Sequence, residues 1–227
     1  MRIHRLLFAN HGVAVYAATI ILSGLALALS MPWASRLSEL IMQPWHPAPL
    51  AFFLMYATMS ALVALSMGAV AAPVGGDSRA LPAILTVLVR VSFGHFLMLP
   101  LIAYSRVLFP NSVTPLIGAA SYVFLLSVMM SMLAMLMEVF AAHQGKHSSG
   151  RRYSFIVLYS GIPLFGLLAQ GGILRFLTLV SPLQSLSCLL SSSASSSQWV
   201  FILLLPILTI FTTMFILWRR SQGRLHV

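Results

Sequence analysis

Acidic side chains are nearly absent from this sequence. Its 227 residues include only three, Glu39, Asp77 and Glu138, and charged residues of either sign make up 7% of the chain. A soluble domain carries roughly a quarter of its residues as charged side chains, which coat its surface. With 59% of the residues hydrophobic, the solvent of this chain is lipid. The few carboxylates also argue against a metal site and against a hydrolase that works through paired acids.

Two further absences concern cysteine and the ATP-binding loop. The single cysteine, Cys188, excludes an internal disulfide and a cysteine-rich metal cluster. The string nearest to an ATP-binding loop, Gly145-Lys146-His147, lacks the upstream glycine and the following Ser or Thr. His143 and His147 are four residues apart, but the glycine between them favours a solvated basic loop. We therefore predict that this chain is not itself an enzyme and binds no metal or cofactor.

Long apolar runs are abundant, and each is close to the roughly 20 residues that a membrane-spanning helix needs. They do not alternate apolar and polar residues as the strands of a membrane barrel do. The sequence therefore predicts an all-α membrane protein, a single transmembrane domain over residues 1–227 that forms a bundle of six helices. The predicted spans are Val13–Trp33, Pro49–Pro73, Leu81–Tyr104, Val113–Ala141, Tyr153–Phe176 and Trp199–Trp218.

The basic residues predict the orientation of these spans. The net charge of +10 would indicate nucleic acid in a soluble protein, but here the charges flank apolar runs, where they contact anionic lipid headgroups. With the N-terminus inside, the outer segments hold Arg36, Arg106 and Arg175. The cytoplasmic segments hold Arg2, Arg5, Arg79, Lys146, Arg151, Arg152, Arg219, Arg220 and Arg224. This excess predicts that both termini are cytoplasmic.

Three ionisable residues, Arg90, His95 and Glu138, lie inside predicted spans, where such side chains are costly and informative. The side chains of Arg90 and Glu138 can reach the inner headgroups by extending along the helix. An Arg90–Glu138 pair between the third and fourth spans is an alternative hypothesis.

Small residues recur every four positions along the second span, at Ser60, Ala64, Gly68 and Ala72. Such a stripe allows another helix to approach closely. The partner is either a helix of the same chain or, if the stripe faces outward, a second copy of the protein.

Four features of the sequence resemble one membrane-protein family. A short basic segment, Met1–His11, leads into the first span. The segment from Gly76 to Arg90, with its polar turn and Leu-rich stretch, precedes the third span. Ser181-Pro182 follows the fifth span, and Trp218-Arg219-Arg220 ends the sixth. In this order the features resemble the membrane subunit, or permease, of ABC-2 type transporters, which are mostly exporters.

The resemblance implies a short N-terminal interfacial helix, a second permease that forms a homo- or heterodimer with this one, and a separate ATP-binding cassette ATPase that hydrolyses the ATP. It implies a location in the plasma membrane, in bacteria the inner membrane. The segment that would transmit the motion of the ATPase consists of Gly76, Asp77, Ser78, Arg79, Ala80, Leu81 and Pro82. The stretch Leu183–Leu190 is either a short outer re-entrant helix or an ordinary outer loop.

Other functions remain open at this point. The haem-exporter permeases are similar in length, although those chains usually end soon after a Ser-Pro motif, whereas here a full span follows Ser181-Pro182. A substrate-binding membrane component of a vitamin importer would need a polar pocket near the outer face. An intramembrane protease would need a nucleophile such as Ser160 near a base such as His95. A membrane scaffold without transport activity would share the same composition.

Overall fold

Five helices account for nearly all of the residues that the structure, a computed structural model, describes. These residues are 47–72, 80–108, 113–143, 182–190 and 195–222, with the single positions Ile21, Gly24 and Leu25. The helices are α1 (Pro47–Ala71), α2 (Ala80–Leu108), α3 (Val113–His143), α4 (Pro182–Leu190) and α5 (Ser196–Gln222). The fifth predicted span, and all but three positions of the first, lie outside the described residues.

Four of these helices, α1, α2, α3 and α5, are long and apolar enough to cross a membrane. The protein is therefore a multi-pass membrane protein, and its described part is all-helical. The second, third, fourth and sixth predicted spans are found as helices. Helix α2 continues through Arg106 to Leu108 instead of ending at Tyr104, and α5 likewise continues four residues past Trp218 to Gln222. A long basic side chain can stay in a helix at a membrane surface because its charged end reaches the headgroups.

The start of α5 is fixed by a capping box, in which a serine and a glutamine three residues later bond each other's backbone. The backbone N–H of Gln198 donates to Ser195 Oγ at 3.4 Å, and the backbone N–H of Ser195 donates to Gln198 Oε1 at 3.0 Å. These bonds satisfy N–H groups that the first turn of a helix leaves unpaired. The helix consequently begins three residues before the predicted span.

The central element is α3, which contacts each of the other four helices. Its middle is buried on several faces, and residues such as Val123, Met132 and Met135 are fully enclosed. The cluster of methionines from Met129 to Met137 thus lies largely inside the bundle. Flexible methionine side chains suit this position because they fill irregular gaps between helices.

The most extensive interface in the described part of the chain joins α1 to α3. The small residues Ser60, Ala64 and Gly68 are buried there, and Ala72 lies half-buried just past the end of α1. A Cβ atom added at Gly68 would lie 2.7 Å from the carbonyl carbon of Ser131 on α3. Only a residue without a side chain allows the two backbones to approach this closely. The stripe therefore packs against a helix of the same chain.

Contacts near their ends show that α3 and α5 run in the same direction. Near the start of both helices, Gly118 of α3 faces the ring of Trp199 on α5. Near the other end, the guanidinium of Arg220 on α5 lies 4.1 Å from the ring centroid of Phe140 on α3. We call these two sides of the bundle the Trp199 face and the Arg220 face. Because α2 precedes α3 through a short connection, it runs from the Arg220 face to the Trp199 face.

The short helix α4 packs on α3, α1 and the start of α5. It buries Leu186, Leu189 and two serines, while Gln184 is exposed. The thiol of Cys188 lies 3.7 Å from Gln198 Oε1 in the capping box of α5. This places α4 at the Trp199 face. The stretch predicted as either a re-entrant helix or a loop is thus helical over Pro182–Leu190.

Candidate functional site

A tyrosine and a histidine form a hydrogen bond between two helices in the interior of the bundle. The hydroxyl of Tyr56 on α1 lies 2.6 Å from Nδ1 of His95 on α2. His95 is near the middle of α2, about 20 Å from either end at 1.5 Å per residue. An ionisable side chain at this depth is expensive to bury, and it is therefore the first place to look for function in a membrane protein.

The histidine ring is held between aromatic side chains from the neighbouring helices. Its centroid lies 5.4 Å from that of Tyr56 and 5.2 Å from that of Phe124 on α3. Phe52, one turn before Tyr56 on α1, stacks on the tyrosine ring at 6.2 Å. These four residues, Phe52, Tyr56, His95 and Phe124, form what we call the aromatic cluster. It joins α1, α2 and α3 and fixes the orientation of the imidazole.

The second nitrogen of the imidazole has no hydrogen-bond partner among the residues that the structure describes. Nε2 of His95 is buried and unbonded. If the Tyr56 hydroxyl donates to Nδ1, Nε2 carries the ring proton and is a donor; if Nδ1–H donates to the hydroxyl, Nε2 is an acceptor. In either tautomer the bundle interior holds a polar atom able to form one more hydrogen bond. A buried polar group left unpaired costs about 1–3 kcal/mol.

A small cavity with a mainly apolar lining lies on the Arg220 side of the aromatic cluster. It has a volume of about 30 Å³, and its polar lining comes from Ser60, Arg90, His95 and Ser127. We call it the inner cavity. A water molecule needs about 10–15 Å³ of such volume and two or more polar partners. The inner cavity is thus large and polar enough to hydrate the imidazole from one side.

A much larger groove lies on the Trp199 side of the cluster, between α2 and α3. Its volume is about 760 Å³, and it is widely open. We call it the α2–α3 groove. The aromatic cluster borders its inner end and Arg106 lies at its mouth. The walls are formed by Ser92, Phe96, Leu99 and Ile102 of α2 and by Leu116, Ile117, Ala120, Ser121 and Leu125 of α3.

The other intramembrane charges occupy separate places. Arg90 lines the inner cavity, five residues before His95 on α2. Glu138 is half-buried near the end of α3 and does not line that cavity. Both side chains have interaction partners in the structure. The Arg90–Glu138 pair stays a prediction.

The segment predicted to couple to an ATPase is divided by the limits of the described residues. Gly76, Asp77, Ser78 and Arg79 lie outside them. Ala80, Leu81 and Pro82 form the first turn of α2 at the Arg220 face. Ala80 is buried, whereas the side chain of Leu81 is 61% exposed. An exposed leucine at this position offers an apolar contact at the surface of the bundle.

Three residues of the site were not predicted from the sequence. They are Tyr56, Phe124 and, as part of a groove, Arg106. The sequence did contain a signal for Tyr56. Tyr56 and His95 lie the same distance from the connection between α1 and α2, so an antiparallel hairpin brings them to the same depth. A tyrosine buried in an apolar span also usually bonds a partner through its hydroxyl. The role of Arg106 depends on how far α2 and α3 separate, which the sequence does not encode locally.

Among the described ranges, no three His, Cys, Asp or Glu side chains are grouped as metal ligands. Ser160, the candidate nucleophile, lies outside those ranges. Comparison of the chain with known protein families, curated proteins and solved structures finds no match. The site must therefore be interpreted from its own geometry.

Proposed function

We propose that this chain is the membrane permease subunit of an ATP-driven transporter of the ABC-2 type, an exporter whose ATP is hydrolysed by a separate subunit. The observation that carries the proposal is the α2–α3 groove, which ends at the Tyr56–His95 pair deep in the bundle. A membrane scaffold needs neither an open groove nor a polar group at its inner end. A transporter needs both, because its cargo must leave water and lipid for a site inside the protein.

The parallel arrangement of α3 and α5 supports six spans. The chain leaves α3 at the Arg220 face and enters α5 at the Trp199 face. One more crossing between them would account for this, and the predicted span Tyr153–Phe176 would supply it. With the span Val13–Trp33 before α1, both termini lie at the Arg220 face. We assign this face to the cytoplasm because Arg219 and Arg220 lie there.

The same assignment places the start of α2 where an ATPase would dock. Leu81 is exposed at the cytoplasmic face in this topology, directly after the polar segment from Gly76 to Arg79. Helix α2 then leads directly to His95 and to the groove. A displacement of its first turn by an ATPase can thus reach the groove through one rigid element. The transporter would contain a second permease and lie in the plasma membrane, in bacteria the inner membrane.

A pull-down through a C-terminal tag in mild detergent, followed by mass spectrometry, tests the proposal. Recovery of an ATPase with a P-loop supports it, and recovery of a second, similar permease makes the complex heteromeric. A chain that purifies alone and monodisperse from a membrane in which it is functional would contradict it.

The position of the groove, though not its mainly apolar lining, favours a second candidate, the substrate-binding membrane component of an importer. In the proposed topology the groove opens toward the outer face, where an importer takes up its ligand. That component binds a vitamin-sized molecule tightly without an ATPase. Tight binding of a water-soluble vitamin by the purified chain would replace the exporter proposal with this one.

A further inference from the structure

The part of the α2–α3 groove between the aromatic cluster and Arg106 has the length of one leaflet of a bilayer. The residues of α2 that line the groove run from Ser92 to Arg106, and the part between His95 and Arg106 is about 16 Å long at 1.5 Å per residue. Half of a typical hydrocarbon core is about 15 Å. A lipid chain that enters at the mouth of the groove would thus end near the aromatic cluster.

The chemistry of the groove changes along this length. Its walls are formed mainly by aliphatic and aromatic side chains, including Leu99, Ile102 and Ile117. Arg106, at the mouth, is the one charged residue among the described residues that line it, and its side chain is exposed. The apolar walls therefore complement the acyl chain of a lipid, and Arg106 complements its anionic headgroup. The two surfaces follow each other along the groove as chain and headgroup do in the lipid.

We propose that the α2–α3 groove is a binding site for an anionic lipid of the leaflet at the Trp199 face. Arg106 binds the phosphate, since a guanidinium can donate two parallel hydrogen bonds to it. One acyl chain fills the groove and ends against the rings of Phe124 and His95. The volume of about 760 Å³ falls within the range of roughly 300–1,000 Å³ that is typical of ligand sites.

The inner end of the groove is closed by aromatic rings, which suit the end of an acyl chain. The imidazole of His95 is held by Tyr56 and Phe124, and it separates the groove from the inner cavity that Arg90 lines. The guanidinium of Arg90 therefore faces a different compartment from the lipid chain. The lipid-site proposal requires only that the protein spans the membrane. It can therefore be tested whether or not an ATPase binds the chain.

Photo-crosslinking of the purified full-length chain tests this site. The probes are two phospholipids that carry the same diazirine in an acyl chain, one with a glycerol headgroup, which leaves the lipid anionic, and one with a choline headgroup, which leaves it neutral. Cross-links are mapped by peptide mass spectrometry. We expect the anionic probe to label the α2–α3 groove in clear excess over the neutral one. The exposed apolar residues Val200, Leu208 and Phe211 of α5 report on ordinary bilayer lipid in the same sample.

Two variants complete the test. Arg106→Gln should lower groove labelling by the anionic probe about tenfold, as expected for the loss of a charge-assisted hydrogen bond, and should leave labelling of α5 unchanged. Ala103 of α2 also lines the groove, and Ala103→Phe, which fills part of it, should lower groove labelling by both probes. Equal labelling of the groove and of α5 would overturn the proposal. So would groove labelling that is the same for both headgroups and is unchanged in Arg106→Gln. The labelling experiment and the pull-down are independent, because the labelling result says nothing about whether an ATPase co-purifies with the chain.

Discussion

At the scale of single residues, the hydrogen bond between Tyr56 and His95 is the feature that most distinguishes this bundle from a generic apolar one. It joins two helices at 2.6 Å in a region whose described surroundings are mainly apolar. The histidine could be selected from the sequence because an ionisable residue inside a span is unusual. Its partner was harder to select because, although equal distance from the α1–α2 connection places Tyr56 at the same depth, a single tyrosine in an apolar run fits a buried position and a lipid-facing one equally well.

Tyr56→Phe tests the energetic value of this bond. The variant keeps the ring that stacks on Phe52 and faces His95, and it removes only the hydroxyl. We expect it to lower the free energy of unfolding by about 1 kcal/mol, since hydrogen bonds between membrane helices average about 0.6 and reach about 1.7 kcal/mol. Unfolding in mixed micelles with increasing SDS measures this.

Tyr104→Phe is the matched control for that experiment. Tyr104 also lies on a long helix, but its side chain is 54% exposed. Loss of its hydroxyl should leave the free energy of unfolding within about 0.5 kcal/mol of the wild type, as for surface substitutions generally. Equal effects of the two variants would show that the Tyr56–His95 bond adds nothing to stability.

At the scale of helices, the existence of each described span could be predicted, but its neighbours could not. Apolar runs of this length must be helical in lipid because every backbone group has to be paired within the segment. The helices are apolar on all sides, and no face is marked as the interior. Only the stripe Ser60, Ala64 and Gly68 signalled a close contact, and it did not identify α3 as the partner.

Gly68→Ala tests the α1–α3 interface. The new methyl group would overlap the backbone of Ser131, so the helices must separate and lose contacts along their length. We expect a loss of about 1–3 kcal/mol in the free energy of unfolding, which is typical of overpacking.

Gly118→Ala should cost less, because its methyl group meets the side chain of Trp199, which can rotate. Gly24→Ala, with no described atom within 4 Å of the new Cβ, is the control. A harmless Gly68→Ala would argue against close contact.

The packing of the short helix α4 predicts how the reactivity of Cys188 depends on pH. Burial raises the pKa of the Cys188 thiol, and only the thiolate reacts with maleimide. Alkylation of Cys188 by an impermeant maleimide should therefore be slow at pH 7 and should increase at a higher pH than for an ordinary thiol.

A variant with an exposed cysteine on the same helix is the control for this measurement. Gln184 is exposed, and Gln184→Cys combined with Cys188→Ser moves the only thiol to that position. It should react rapidly, with the pH profile of a free thiol. If both cysteines react at the same rate at every pH, α4 is not packed as described.

At the scale of the whole molecule, the sequence predicted an all-helical membrane protein, and the described residues agree. The groove could not be predicted in this way. Its width depends on the angle between α2 and α3, and the residues that line it are ordinary apolar side chains in the sequence. What the sequence did provide was a resemblance to a transporter family, which gives the first turn of α2 a proposed role.

Leu81→Asp tests that role. An acidic residue in the first turn of a helix interacts favourably with the helix dipole, so the variant should insert and fold. We expect it to abolish the stimulation of ATP hydrolysis by the permease in the purified complex. Ser196→Asp places the same charge in the first turn of α5 at the opposite face, at an exposed residue outside the groove, and stimulation should persist. Normal stimulation in Leu81→Asp would remove this segment from the proposed coupling path.

The packing of α1 against α3, more than against its sequence neighbour α2, has a consequence for biogenesis. The ribosome releases α1 and α2 before the helix that will cover Gly68 exists. The glycine face of α1 must then remain exposed to lipid or to the insertion machinery until α3 arrives. Assembly of this bundle therefore includes a late exchange of neighbours, and a nascent chain that ends after α2 still lacks the main partner of its first described helix.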